Sequence, residues 1–227
     1  MYKFPSILII VGIVAIASFS VQAESDESEA APEKSPVPGW FRVDTDSLGT
    51  HFLIGATHSV GGLSLESNIF IDDTIGEFDL GVSIPAVKGE GLSLILLPMV
   101  GLGYDFAAPD GPLAVYPHLF VFMPAGNLFL KSWTIGTLYS LFDEDKSNEV
   151  YTRNYFTYSL NKTLAIGPQV EAVIVGGGVG LVSFVVGPRI NIGYGENNTL
   201  GILVGYDTEK KEEQTGLTGR LSFTRRW

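Results

Sequence analysis

The chain ends TGLTGRLSFTRRW, Thr215 to Trp227, and the reading of this stretch decides the fold. Leu217, Gly219, Leu221, Phe223 and Trp227 share one parity, while Thr218, Arg220, Ser222, Thr224 and Arg226 share the other. Successive side chains of a β-strand point to opposite faces. As a strand, the segment therefore has one apolar face and one polar, cationic face, with Arg225 the single break in the apolar set.

The same alternation recurs upstream. Leu200, Ile202, Val204 and Tyr206 alternate with Gly201, Gly205 and Asp207, and Phe78, Leu80, Val82 and Ile84 alternate with Glu77, Asp79 and Ser83. From Gly39 onward there is no run of 18 apolar residues and no helical periodicity. The period-two pattern predicts strands at Trp40–Thr45, His51–Ser59, Leu63–Asp72, Ile75–Ala86, Leu92–Phe106, Leu113–Phe122, Leu128–Tyr139, Val150–Leu160, Leu164–Val175, Val179–Tyr194, Leu200–Asp207 and Thr215–Trp227. Gly, Pro, Asn and Asp punctuate them, as at Val60-Gly61-Gly62, Lys88-Gly89-Glu90-Gly91, Pro124-Ala125-Gly126-Asn127 and Glu196-Asn197-Asn198. The expected fold is all-β: a closed antiparallel transmembrane β-barrel of about twelve strands, or ten if long strands have been split. An even number suits a barrel with both termini on one side of the membrane.

The connections sort by side. The even-numbered ones are short, whereas the two longest and most charged, Phe142–Glu149 and Thr208–Gln214, are odd-numbered. Membrane barrels have short turns on one side and longer loops on the other. In such a barrel the apolar face meets lipid and the polar face lines the lumen. Trp40, Tyr104, Tyr139, Phe142, Tyr151, Tyr194, Tyr206 and Trp227 fall near strand ends, where interfacial aromatic girdles are expected.

Residues 1–23 carry one basic residue, Lys3, then an apolar run from Ile7 to Phe19 and Val21-Gln22-Ala23. That is the layout of a cleavable export signal, too short in its apolar core for the roughly 20 residues that span a bilayer. Residues 24–38, ESDESEAAPEKSPVP, are acidic and proline-rich and read as a disordered lead-in, leaving 39–227 as the barrel. Removing the signal takes away Lys3 and no acid, so the formal net charge of −11 becomes −12. An acidic chain without a basic cluster argues against a nucleic-acid partner. With no cysteine, lipid anchoring through an N-terminal Cys, disulfides and thiolate chemistry are excluded.

A strand ending on a terminal aromatic resembles the closing strand of bacterial outer-membrane barrels, in which Phe223 and Trp227 would belong to the assembly signal. Together with YTRN (Tyr151–Asn154), GPQVE (Gly167–Glu171) and GYGENNTLG (Gly193–Gly201), it resembles a group of uncharacterised proteobacterial outer-membrane barrel proteins over most of Gly39–Trp227. The resemblance implies the cell outer membrane as location, and outer-membrane lipid, lipopolysaccharide and the barrel-assembly machinery as partners. It supplies no activity.

Projected inward by parity, the lumen is expected to be lined by Arg42, Asp44, Glu66, Asn68, Glu77, Asp79, Asp105, Arg153, Gln169, Glu171, Arg189, Asn191, Arg220 and Arg226. This mixed-charge set fits a passive channel or solute-binding barrel, in which rings of charge select what passes. It fits equally a closed structural or partner-binding barrel filled by its own ion pairs. Glu171 and Arg189 lie on adjacent antiparallel strands on either side of the Gly176–Gly178 turn and are expected to face each other. A lipid-modifying hydrolase would need a nucleophile beside a base. His51, His58 and His118 are the available bases; His58-Ser59 are adjacent on a strand and so point apart, and His118, beside Pro117 and apolar residues, reads as an interface or packing residue. No enzyme and no cofactor is expected. Asp143-Glu144-Asp145 lacks the spacing of a calcium loop, and no helix follows Gly176-Gly177-Gly178 to make a phosphate site, so no metal is expected either.

Overall fold

The structure, a computed structural model, describes residues 37–47, 49–108, 111–209 and 216–227. The expected signal, and the lead-in up to residue 36, lie outside the described residues. Twelve strands follow one another: β1 (Gly39–Asp46), β2 (Gly49–Val60), β3 (Leu63–Ile71), β4 (Ile75–Gly89), β5 (Leu92–Asp105), β6 (Ala114–Ala125), β7 (Leu128–Thr137), β8 (Glu149–Ser159), β9 (Leu164–Val175), β10 (Gly180–Tyr194), β11 (Asn198–Asp207) and β12 (Leu217–Arg226). Each pairs antiparallel with the next, and β1 pairs with β12 from Trp40↔Arg226 to Asp46↔Arg220, so the sheet closes on itself. Closure leaves no unpaired edge, the condition for carrying backbone polar groups through lipid.

The seam is sealed at its end. Trp227 N–H donates to Gly39 O at 3.0 Å and Gly39 N–H to Trp227 O at 3.2 Å. The Trp227 indole lies so close over Gly39 that a Cβ there would sit 2.7 Å from its ring. Glycine at 39 is what lets the last aromatic fold onto the first strand.

Several strands run further than composition suggests. β4 continues to Gly89 and β6 through Pro124 to Ala125, because the hairpins at Glu90-Gly91 and Gly126-Asn127 need only two residues each. Gly91 (φ 82°) and Gly126 (φ 59°) supply the left-handed backbone such tight turns require. β7 stops earlier, at Thr137, and Tyr139–Leu141 form a 3-10 turn opening the long connection to β8.

Burial is inverted relative to a water-soluble protein. Among the described residues fourteen polar or charged side chains are buried against seven apolar ones. Ile69, Leu80, Val100, Ile174, Val204 and Leu221 stand exposed on the outward face of successive parts of the ring. Exposed apolar surface of this extent needs a cover, and an apolar band around a polar interior is the arrangement of a membrane-spanning barrel. The girdle expectation needs correcting at three positions. Trp40 and Tyr151 share the inward parity of Arg42 and Arg153, and Tyr139 packs on the internal cluster of Ala114, Tyr116 and Ile135. All three lie near strand ends, but position along a strand says nothing about which face a ring occupies.

Candidate lumen site

The inward face of β1 contributes Arg42 and Asp44, β8 contributes Arg153, β9 Gln169 and Glu171, β10 Arg189 and Asn191, and β12 Arg220. Asp44 lies at the centre. One carboxylate oxygen accepts from Arg42 Nε at 2.7 Å and the other from Arg153 Nη1 at 2.8 Å. β1 and β8 are five strands apart one way around the ring and seven the other, so the Asp44–Arg153 bond crosses the lumen. Glu171 completes this crossbar: it accepts from Arg220 Nη2 at 2.8 Å and from the Tyr151 hydroxyl at 2.6 Å, while Arg220 also reaches Asp46 at 2.5 Å.

Glu171 and Arg189 do not face each other. Register sets Glu171 opposite Val185 and Arg189 opposite Gly167, with a β-bulge between Leu181 and Ser183. Arg189 instead donates to Gln169 Oε1 at 2.7 Å and to Asn191 Oδ1 at 2.7 Å, its guanidinium 4.4 Å from the Tyr155 ring centroid. Gly201 on β11 makes the room, since a Cβ there would overlap Arg189 Nη2.

A second group occupies the opposite wall. Glu77 and Asp79 on β4 meet His118 on β6 across Gly101 of β5, where a Cβ would overlap Asp79 Oδ1. Trp133 Nε1–H donates to His118 Nδ1 at 3.1 Å. An indole N–H can only donate, so Nδ1 accepts and the ring proton sits on Nε2. From there it reaches Glu77 Oε1 at 2.6 Å and lies 3.2 Å from Asp79 Oδ1. Asn68 Nδ2–H donates to Asp79 Oδ2 at 2.6 Å. Glu77, Asp79 and His118 place three potential ligand atoms within 4.8 Å of one another. The Trp133 contact nevertheless puts a proton where a metal would need the Nε2 lone pair, so this arrangement holds a proton. Arg153 stacks over Trp133, 5.2 Å from its centroid, and so joins the two groups into one belt.

The remaining expected lumen residues share the inward face with fewer partners. Glu66 is half-buried and accepts from Thr57 Oγ1 at 2.8 Å. Asp105, at the loop end, accepts from the Ala107 N–H at 2.7 Å. His118, read from sequence as an interface or packing residue, is in the polar belt. β6 is apolar on both parities, so nothing in its sequence marked the inward one. Lys131 and Tyr155 were also missed, although Lys131 is the one charge of β7 and its parity with Trp133 and Ile135 placed it.

Above the crossbar a cavity of about 670 Å³ opens toward the end that carries the longer loops. Asp46, Tyr151, Glu171 and Arg220 are among the residues that line it. On the outward face, at the short-turn end, His58 Nε2 lies 2.9 Å from Ser67 Oγ across β2 and β3.

No known protein family matches the sequence, and no curated protein does. Solved structures do match. The KdgM porin aligns with a TM-score of 0.51 at 12% identity, over 84% of this chain and 99% of that one. The KdgM porin in complex with disordered oligogalacturonate gives 0.50 at 12%, over the same shares. The NanC porin gives 0.50 at 10%, over 82% and 97%. The fold is that of the porins. At such identities the likeness concerns the course of the backbone, and the side chains of the lumen have to be read from this chain alone.

Proposed function

We propose that the protein is a non-enzymatic outer-membrane channel, a narrow passage for small charged solutes rather than a wide pore. The observation that carries this reading is the cavity of about 670 Å³ floored by the Glu171–Arg220–Tyr151 contacts of a crossbar whose members are all side chains. A side-chain crossbar can exchange its internal ion pairs for pairs with a solute, as a charged constriction does in selecting what it passes. The porin fold supports the reading as well. In the same reading the chain is exported by cleavage of residues 1–23, its apolar face meets lipid and lipopolysaccharide, and Phe223 and Trp227 are read by the assembly machinery. The His58–Ser67 pair lacks a third group among the described contacts to orient the imidazole, which favours a structural hydrogen bond over a nucleophile and its base.

Swelling of proteoliposomes carrying the whole protein tests the proposal. Small charged solutes are expected to enter faster than neutral solutes of equal size, and sugars too large for the cavity are expected to stay out. Liposomes that hold the folded barrel yet admit no solute would overturn it.

A further inference from the structure

We infer that Tyr194, Asn198 and Arg225 form a seat for the phosphate of a membrane glycerophospholipid on the outer surface of the barrel. The inference rests on the apolar band meeting a bilayer and is independent of the channel reading. The three residues are successive cross-strand neighbours: Tyr194 on β10 pairs with Asn198 on β11, and Asn198 pairs with Arg225 on β12. Residues opposite each other in a ladder share a face of the sheet. That face is the outer one, since Tyr194 has the parity of exposed Ile190 and Ile192, and Arg225 that of exposed Leu221. Arg225 is therefore a cation on the lipid-facing side, where the alternation of β12 calls for an apolar residue. Among the described residues no carboxylate pairs with it, the chain-terminal one of Trp227 included, and the Tyr194 hydroxyl and Asn198 amide make no hydrogen bond. All three side chains offer donors, and a phosphodiester offers charged acceptors.

The row stands at the level of lipid headgroups. Tyr194 ends β10, Asn198 begins β11 and Arg225 is one residue from the end of β12, all beside the turn at 195–197. Between Asn198 and Tyr206 the outward residues of β11 are Leu200, Ile202 and Val204. That length of strand rises about 26 Å and, at a tilt of about 40°, crosses about 20 Å of membrane, close to the apolar band of about 25 Å in such barrels. Asn198 and its neighbours thus lie at the edge of the band on the short-turn side. Longer loops mark the outer side, so the leaflet here is the inner one and the occupant a glycerophospholipid rather than lipopolysaccharide. Aromatic rings, which settle at headgroup level, frame the seat. Phe41 on β1 is the other neighbour of Arg225, and Phe223 and Trp227 lie two residues to either side of it on the same face. The Phe223 and Tyr194 ring centroids are 6.3 Å apart. Ile192 and Leu200, in the next outward row, continue the surface toward mid-membrane, where the acyl chains would run.

The test is native mass spectrometry of the detergent-held whole protein with dioleoylphosphatidylglycerol and, as a counterpart with the same chains and no phosphate, dioleoylglycerol. The phospholipid is expected to stay bound and the diacylglycerol not to. Arg225→Gln is expected to weaken phospholipid binding about tenfold, as loss of a charge-assisted hydrogen bond does, whereas Arg225→Lys retains part of it. Lys162→Gln, in the turn between β8 and β9 on the same side, is expected to leave binding unchanged. Heat-modifiable migration of each variant checks folding. Equal binding of the two lipids, or unchanged phospholipid binding in a folded Arg225→Gln, would overturn the inference. So would an equal loss in Lys162→Gln, which would show a diffuse attraction to basic residues on that side. Unchanged phospholipid binding with failed insertion of Arg225→Gln in cells would overturn it in favour of a contact with the assembly machinery.

Discussion

Asp44 is the residue on which the interior depends, since it alone bonds across from β1 to β8. Asp44→Asn keeps the shape but leaves Arg42 and Arg153 without their shared carboxylate. The folded barrel is expected to lose about 1–3 kcal/mol, the penalty of a buried charged partner left unmade, read from the urea midpoint of reversible unfolding. Gly101 is sensitive for a different reason. Gly101→Ala places a methyl on the Asp79 and Glu77 carboxylates, which their hydrogen bonds to Asn68 and His118 hold in place; a loss of about 1–3 kcal/mol is expected from the same unfolding curve. An unchanged midpoint in Gly101→Ala would mean that Glu77 and Asp79 have room to turn away. Residue identities of this kind were partly legible beforehand. Wherever apolar and charged residues alternate, as around Glu77 and Asp79, parity pointed to one face. Where both parities are apolar, as around His118, it had nothing to act on.

Among the elements, β12 does most to close the molecule. It offers Arg220 and Ser222 to the interior, Leu221 to the outside, and Trp227 to the seam with β1. Trp227→Ala removes the ring over Gly39 but neither seam hydrogen bond. The purified barrel is expected to lose little stability, while the fraction inserted in cells falls sharply if Phe223 and Trp227 serve assembly. Quantifying folded and unfolded bands in outer-membrane fractions separates the two effects, and unimpaired insertion of a Phe223→Ala, Trp227→Ala double variant would contradict the assembly role. All twelve strands were legible because most repeat a period of two and turn residues punctuate them, which also bounds β6, apolar on both parities. Their ends were less so, since Lys88, Gly89, Pro124 and Ala125 look like turn chemistry yet belong to ladders closed by two-residue hairpins. Pairing between neighbours followed from the turns, but the Glu171–Arg189 pairing failed, because the hairpin closes at Val175↔Gly180, four residues from Glu171 and nine from Arg189, which sets Glu171 against Val185 instead.

At the scale of the whole molecule the two faces answer to different solvents. Val204→Arg, on the outward face of β11, is expected to cost about 2–4 kcal/mol if it lies near the bilayer midplane, read as the loss of folded barrel in lipid bilayers. The same substitution would be nearly harmless if that face met water. The formal net charge of −11 suggests an acidic protein, yet the crossbar sets Arg42, Arg153 and Arg220 against Asp44, Asp46 and Glu171 in equal number. Sequence could not reveal this, because the sign of a lumen depends on which charges find partners across it, between strands far apart in the chain. The most direct measurement of the central claim is single-channel recording of the whole protein in planar bilayers across a salt series. Small discrete conductance steps with an ion selectivity that weakens as salt rises are predicted, and Asp44→Asn should enlarge the steps. A folded, heat-modifiable barrel that gives no steps in either form would contradict the account.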